Sequence, residues 1–268
     1  MSAKLAVAVM AAVIGSGCIR SATLITVKPD GTGTVEQTVL MNAAALKGML
    51  GGLGEPQQSS GGVSEEELRK AAARLGEGVT YVSSEPIKAP DGFEGAKAIY
   101  AFTDITKLRV DQDPNLSGST PGGVSATTKK SDNPVTFAMT RTGGVSNLTV
   151  TFNDKPARDK AAEAPPTGGP QMDNPQMTEM MKTMFKGFKV NIDLQVVGSI
   201  IKTNADHVAG SKVTLLEMDL EALLADEAKL KEVQKVLGPN ASVAELKPYL
   251  KDIKGLKIND PVVTISFK

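Results

Sequence analysis

Among its 268 residues the chain has no tryptophan, three tyrosines, one histidine and one cysteine. Each scarcity removes a class of function. Without Trp, and with so few Tyr, there is no aromatic platform on which sugar rings could stack. The single histidine, His207, excludes a two-histidine zinc site and any HExxH metalloprotease. It falls in the turn-like stretch NADHVAG and reads as a surface residue. A lone cysteine forms no internal disulfide. Excess charge is also missing: Lys+Arg and Asp+Glu are balanced at 30 each. No long-range field then gathers nucleic acid or anionic lipid, and no nucleic-acid partner is expected. The apolar run Leu5–Ile14 is ten residues long, half the roughly 20 that a membrane-spanning helix needs.

The cysteine itself, Cys18, needs a reason to exist, and its surroundings supply one. Ahead of it runs MSAKLAVAVMAAVIGSG, with a cation at Lys4, the apolar run, and the small residues Gly15, Ser16 and Gly17. That is the layout of a bacterial export signal over residues 1–17. A cysteine directly after small residues resembles the lipobox of bacterial lipoproteins, in which the thiol is acylated and the cleaved chain begins at the cysteine. That family usually has Leu three positions before the cysteine, whereas this chain has Gly15, with Ile14 one step earlier. Lipidation at Cys18 is the expectation, and an ordinary secretory signal ending there is the alternative. Anchoring at Cys18 would hold the body close to the bilayer, because only four residues separate it from the strand expected at Thr23.

Along the mature chain, period-two alternation and turn residues mark hairpins. Strands are expected at Thr23–Lys28 and Thr34–Met41 around Pro29-Asp30-Gly31, from Val79 and Ala96 around Pro90-Asp91-Gly92, and on both sides of Gly143-Gly144. Further strands are VNIDLQVVGSI, KVTLLEMDL and the terminal VVTISF. Helices are expected at AAALKGMLGGLG, at SEEELRKAAARLG with its Ser64/Glu67 capping pair, at DEAKLKEVQKVLG and at SVAELKPYLKDI. Asp111 to Asn133 reads as a long polar loop. The division is then residues 18–154 as the first part of the body, 155–172 as a linker or long loop, and 173–268 as a second part sharing the same sheet. Hairpins alternating with blocks of helix predict an α+β fold, an antiparallel sheet with helices packed mainly on one face.

The catalytic scan is empty, and no enzyme, cofactor or metal is expected. No GxSxG elbow occurs in the mature chain. DGTG at Asp30 joins two strands where a dinucleotide loop would open a helix. DQDPNLSG from Asp111 has Leu116 where a calcium loop needs Gly and Gly122 where it needs Glu. One segment stands out. After Pro175, Met177, Met180, Met181, Met184, Phe185 and Phe188 recur at spacings of three and four, a polarizable apolar stripe on one side of a helix. Three readings stay open for it: ordinary core, a wall or lid for an acyl chain or a partner's apolar face, and a thioether Cu(I) site.

Two segments carry a resemblance. CIRSATLITVKPDGTGTVEQTV is similar to the start of the LppM-like bacterial envelope lipoproteins, where the acylated cysteine leads into a hairpin with a Pro-Asp turn. IDLQVVGSIIKTNADHVAGSKVTLLEMDL resembles their later segment. The resemblance implies an α+β domain held at the membrane in a family linked to envelope lipids. In the mycobacterial members a transmembrane helix follows the domain, and here the corresponding stretches are broken by charges. The expectation is a non-catalytic lipoprotein of the cell envelope, facing the periplasm, that binds a lipid or other hydrophobic ligand. A structural lipoprotein that docks another envelope protein is the alternative. Ile19 follows the cysteine where inner-membrane retention is associated with Asp, so the outer membrane is favoured if the source has two.

Overall fold

Alternating Thr, Val and other apolar residues suit a pleated surface buried on one side. The computed structural model, which describes residues 19–42, 65–111, 134–152, 182, 186–226 and 253–268, turns most of them into strands. The elements in order are β1 (Ile19–Val27), β2 (Gly33–Asn42), α1 (Glu65–Leu75), β3 (Thr80–Lys88) and β4 (Phe93–Phe102). A single 3-10 turn (Ile105–Lys107) precedes β5 (Arg109–Asp111), β6 (Pro134–Thr142), β7 (Val145–Thr151) and β8 (Lys189–Val196). Then come β9 (Ile200–Thr203), β10 (Val208–Ala209), β11 (Lys212–Asp219), α2 (Leu220–Ala225), β12 (Leu256–Ile258) and β13 (Val262–Phe267). One sheet runs β10-β11-β8-β1-β2-β4-β3, with β12 also on β11; the other runs β5-β6-β7-β13-β9.

The expected α+β fold is overturned. The molecule is mostly β, and the helices bounded within the described residues are only α1 and α2, eleven and six residues long. A second sheet stands where a helical layer was expected. Nor is the first sheet purely antiparallel, because β1 and β8 pair in parallel from Arg20↔Lys189 to Val27↔Val196. The physical reason lies in VNIDLQVVGSI, which is two strands and not one. It breaks at Val197–Ser199, where Gly198 has φ +130° and a Cβ would meet the Lys268 carbonyl at 2.2 Å. Ser199 and Lys268 exchange backbone hydrogen bonds at 2.9 and 3.2 Å, and these carry the chain out of the first sheet into the second.

Both sheets and α1 share one core. From the first sheet come Ile25, Val27, Val35, Tyr100, Phe102, Leu194 and Val213, and from the second Val135, Phe137, Leu148, Val150, Val263, Ile265 and Phe267. α1 adds the stripe its sequence announced, Leu68, Ala71, Ala72 and Leu75, all buried. Its outer face carries Glu65–Arg69 and Glu66–Lys70 pairs one turn apart. The three expected hairpins form, β1–β2, β3–β4 and β6–β7. β11 bulges between Thr214 and Leu216, and Asn259, 3% exposed, holds the bulge. Its Nδ2 donates to the carbonyls of Thr214 and Leu215 at 2.7 and 3.0 Å, and its Oδ1 accepts the Asp206 N–H at 2.9 Å.

The helices expected from Ala43, from Asp226 and from Ser242 lie outside the described residues, except for Asp226 and Ile253. So do the Asp111–Asn133 loop, except for Asp111 itself, which closes β5, and the 155–172 linker. Among the described residues no helix is long and apolar enough to cross a membrane.

Candidate functional site

β1 begins at Ile19, the residue after Cys18, and Ile19 is only 5% exposed. Cys18 itself lies outside the described residues. Consecutive Cα atoms are ~3.8 Å apart, so a group carried on Cys18 leaves the body at one particular end of the first sheet. The registers define that end: Ile19↔Met41, Asn42↔Phe93, Arg20↔Lys189 and Asp219↔Lys189. There β1, β4 and β8 start, β2 and β11 finish, and α2 follows β11.

Of the stripe singled out by sequence, Met177, Met180, Met181, Met184 and Phe185 lie outside the described residues. Phe188 lies within them, and the structure brings it to this same end. It is 8% exposed, immediately precedes β8, and its carbonyl accepts the Leu220 N–H at the start of α2 at 3.2 Å.

Around Phe188 the chain is tightly tied. Gly187 has φ +79°, and a Cβ there would come 2.7 Å from the Phe93 Cζ; only glycine combines that backbone with that approach. Arg20 stacks its guanidinium 3.7 Å from the centre of the Phe93 ring, pairs with Asp91 at 2.6 Å, and donates from Nε to the Gly187 carbonyl at 3.3 Å. Gly187 N–H in turn donates to Glu221 Oε2 at 3.0 Å.

α2 is started by Asp219, whose carboxylate accepts the Ala222 N–H at 3.0 Å and pairs with Lys189 at 2.7 Å. Burial works against ionisation of Asp219, but the Lys189 ammonium and the Ala222 N–H outweigh it and hold the carboxyl below its ordinary range. Between α2 and the approach to β8 lies an open groove of ≈ 250 Å³, lined among the described residues by Lys182, Lys186, Glu221, Leu224 and Ala225. Leu224 is its buried apolar wall.

A second groove of ≈ 270 Å³ sits at the β1–β2 turn, between Asp30, Asp104, Thr106, Met139 and Arg141. The nine residues of β1 separate the two ends by ~30 Å. Asp30 accepts the N–H and Oγ1–H of Thr32, and Asp104 accepts those of Thr106; these bonds hold both carboxyls below the usual range. Among the described residues no group of three His, Cys, Asp or Glu side chains is placed to hold a metal. His207 lies between β9 and β10, half-buried, with its backbone carbonyl accepting the Thr214 N–H at 3.0 Å.

Sequence reading missed α2 and with it the groove, because LEALLA follows KVTLLEMDL without a break. The signal that could have found it is Asp219, a capping residue directly ahead of that apolar run.

No protein-family model matches the chain, and no curated protein is similar to it in sequence. Among solved structures the chain is similar to the folded domain of the Mycobacterium tuberculosis LppM protein, determined by NMR. The match has a TM-score of 0.38 and 9% identity and covers 100% of this chain and 95% of that one. That protein belongs to the family that the two sequence segments resemble.

Proposed function

We propose that the chain is a bacterial envelope lipoprotein, anchored through an acylated Cys18, whose body binds a hydrophobic ligand without transforming it. One observation carries this reading. The groove with the Leu224 wall lies at the end of the sheet where the chain emerges from Cys18. An acyl chain leaving the bilayer would meet that groove first. The export-signal layout before Cys18 and the thioether-rich segment that ends at Phe188 support the same reading. The body faces the periplasm, and the outer membrane is favoured over the inner because Ile19 follows the cysteine.

Native mass spectrometry tests this on the whole mature chain, exported with Cys18→Ser so that it stays in solution, and purified without detergent. The expected result is extra mass that organic solvent strips away. A bare protein mass refutes the reading and favours docking of another envelope protein. That second reading has its own observation: β9 is an edge strand with Ile201 52% exposed, and β10 is another with Val208 43% exposed, a surface able to accept a partner strand. It predicts a stable complex on crosslinking in the envelope.

A further inference from the structure

Resting on that reading, we infer that the groove beside α2 selects a single-chain amphiphile with an anionic head group, its chain against Leu224 and Ala225 and its head on the Lys186 ammonium. The charges around the groove support this. Among the described residues that line it, Lys182 and Lys186 outnumber the one carboxylate, Glu221, which accepts the Gly187 N–H at 3.0 Å; the nearby Asp219 is paired with Lys189 at 2.7 Å and Asp91 with Arg20 at 2.6 Å. Lys186 is exposed on the groove rim and has no ion-pair partner among the described residues. A neutral head group gains nothing from that ammonium. A carboxylate or phosphate gains a charge-assisted hydrogen bond at the edge of an apolar wall.

Size narrows the ligand further. At ≈ 250 Å³ the groove is smaller than the roughly 300–1,000 Å³ of clefts that enclose a drug-sized ligand, so it has room for a segment of one acyl chain at a time. The bilayer is the source, since the groove opens at the Cys18 end and ~30 Å from the polar groove at the β1–β2 turn.

The test uses the mature Cys18→Ser chain and two fluorescent probes that differ in head-group charge alone, 11-(dansylamino)undecanoic acid and its methyl ester, titrated at pH 8. The acid should bind about five- to tenfold tighter than the ester, as expected for one charge-assisted contact near a surface. Lys186→Gln should abolish that preference, Lys186→Arg should keep it, and both variants should melt like the parent because the side chain is exposed. Inorganic phosphate in large excess should leave the acid bound.

Equal binding of acid and ester by the parent overturns the inference while leaving the hydrophobic-ligand reading intact, and so does a preference that survives Lys186→Gln. Displacement by inorganic phosphate also overturns it, since the groove would then be an anion site. If neither probe binds, the hydrophobic-ligand reading fails and the inference falls with it.

Discussion

Replacing Asn259 by alanine should destabilise the protein by about 3 kcal/mol, although the residue is far in sequence from every contact it makes. Asn259 is 3% exposed and uses its whole amide: two donated bonds to the carbonyls flanking the β11 bulge and one accepted from Asp206 N–H. A net contribution of about 1 kcal/mol per buried hydrogen bond gives the sum. The small void adds to it, and any water reaching the orphaned carbonyls subtracts. Total stabilities are typically about 5–15 kcal/mol, so this one side chain would carry a large share. Urea unfolding followed by far-ultraviolet circular dichroism is the assay. The midpoint should fall by about 1 M with the slope unchanged, taking a slope near 3 kcal/mol/M. Asn259→Asp separates the roles, because it keeps the acceptor for Asp206 but points a carboxylate at two carbonyls, and it should cost at least as much. A loss under about 1 kcal/mol for alanine, or a harmless aspartate, would refute the view that this amide holds the bulge.

Burial pushes the Tyr100 phenol up to about 12. Above pH 10 the unfolded chain therefore releases this proton while the folded one keeps it, and stability falls as pH rises from 10 toward 12. Tyr100→Phe should lose less stability between pH 9 and pH 11 than the parent, and an equal loss contradicts the assignment. Gly187→Ala should cost about 1–2 kcal/mol for the left-handed backbone, plus the clash with Phe93, and should weaken probe binding in the groove. Gly92→Ala is its control, with φ +83° and nothing within 4 Å of the added methyl. If the two cost the same, the Gly187–Phe93 approach does not matter.

Strand positions were legible because they depend on local information. Thr34–Met41 alternates visibly, and Pro-Asp-Gly and Gly-Gly mark turns whose glycines have positive φ. β1 was seen only from Thr23, because Ser21 and Arg20 look like a leader when their partners are unknown, yet they pair with Val39 and Leu40. The division into two sheets was not legible. The parallel pairing of β1 with β8 joins Arg20 to Lys189 across most of the chain, and no local pattern encodes such a contact. Gly198 looked like an interruption inside one strand when it is the crossing between sheets. At the site, Phe188 could be named because apolar spacing marks it. Lys186 and Glu221 could not, since a charged residue beside a groove looks the same in sequence as one on any solvated face.

The two ends of the first sheet differ in how β1 is held. Near the β1–β2 turn the inward residues of β1 are Ile25 and Val27, both 0% exposed and joined to the shared core. Ile105 N–H donates to the Gly31 carbonyl at 2.9 Å, and Ser146 Oγ donates to the Pro29 carbonyl at 2.8 Å, so that end is stapled to the 3-10 turn and to β7 of the second sheet. Toward Cys18 the same face of β1 presents Thr23, Ser21 and Ile19, also buried, at 7%, 8% and 5% exposure, so two of its three inward side chains there are hydroxyl-bearing. A hydroxyl in place of an aliphatic side chain loses much of the transfer free energy that burial supplies, about 25 cal/mol per Å² of apolar surface. Local opening concentrates where apolar contacts are fewest. On the proposed reading, a ligand entering at the Cys18 end would have to break the Arg20–Phe93 and Arg20–Gly187 ties, while the Ile25–Val27 core at the other end of β1 stays intact.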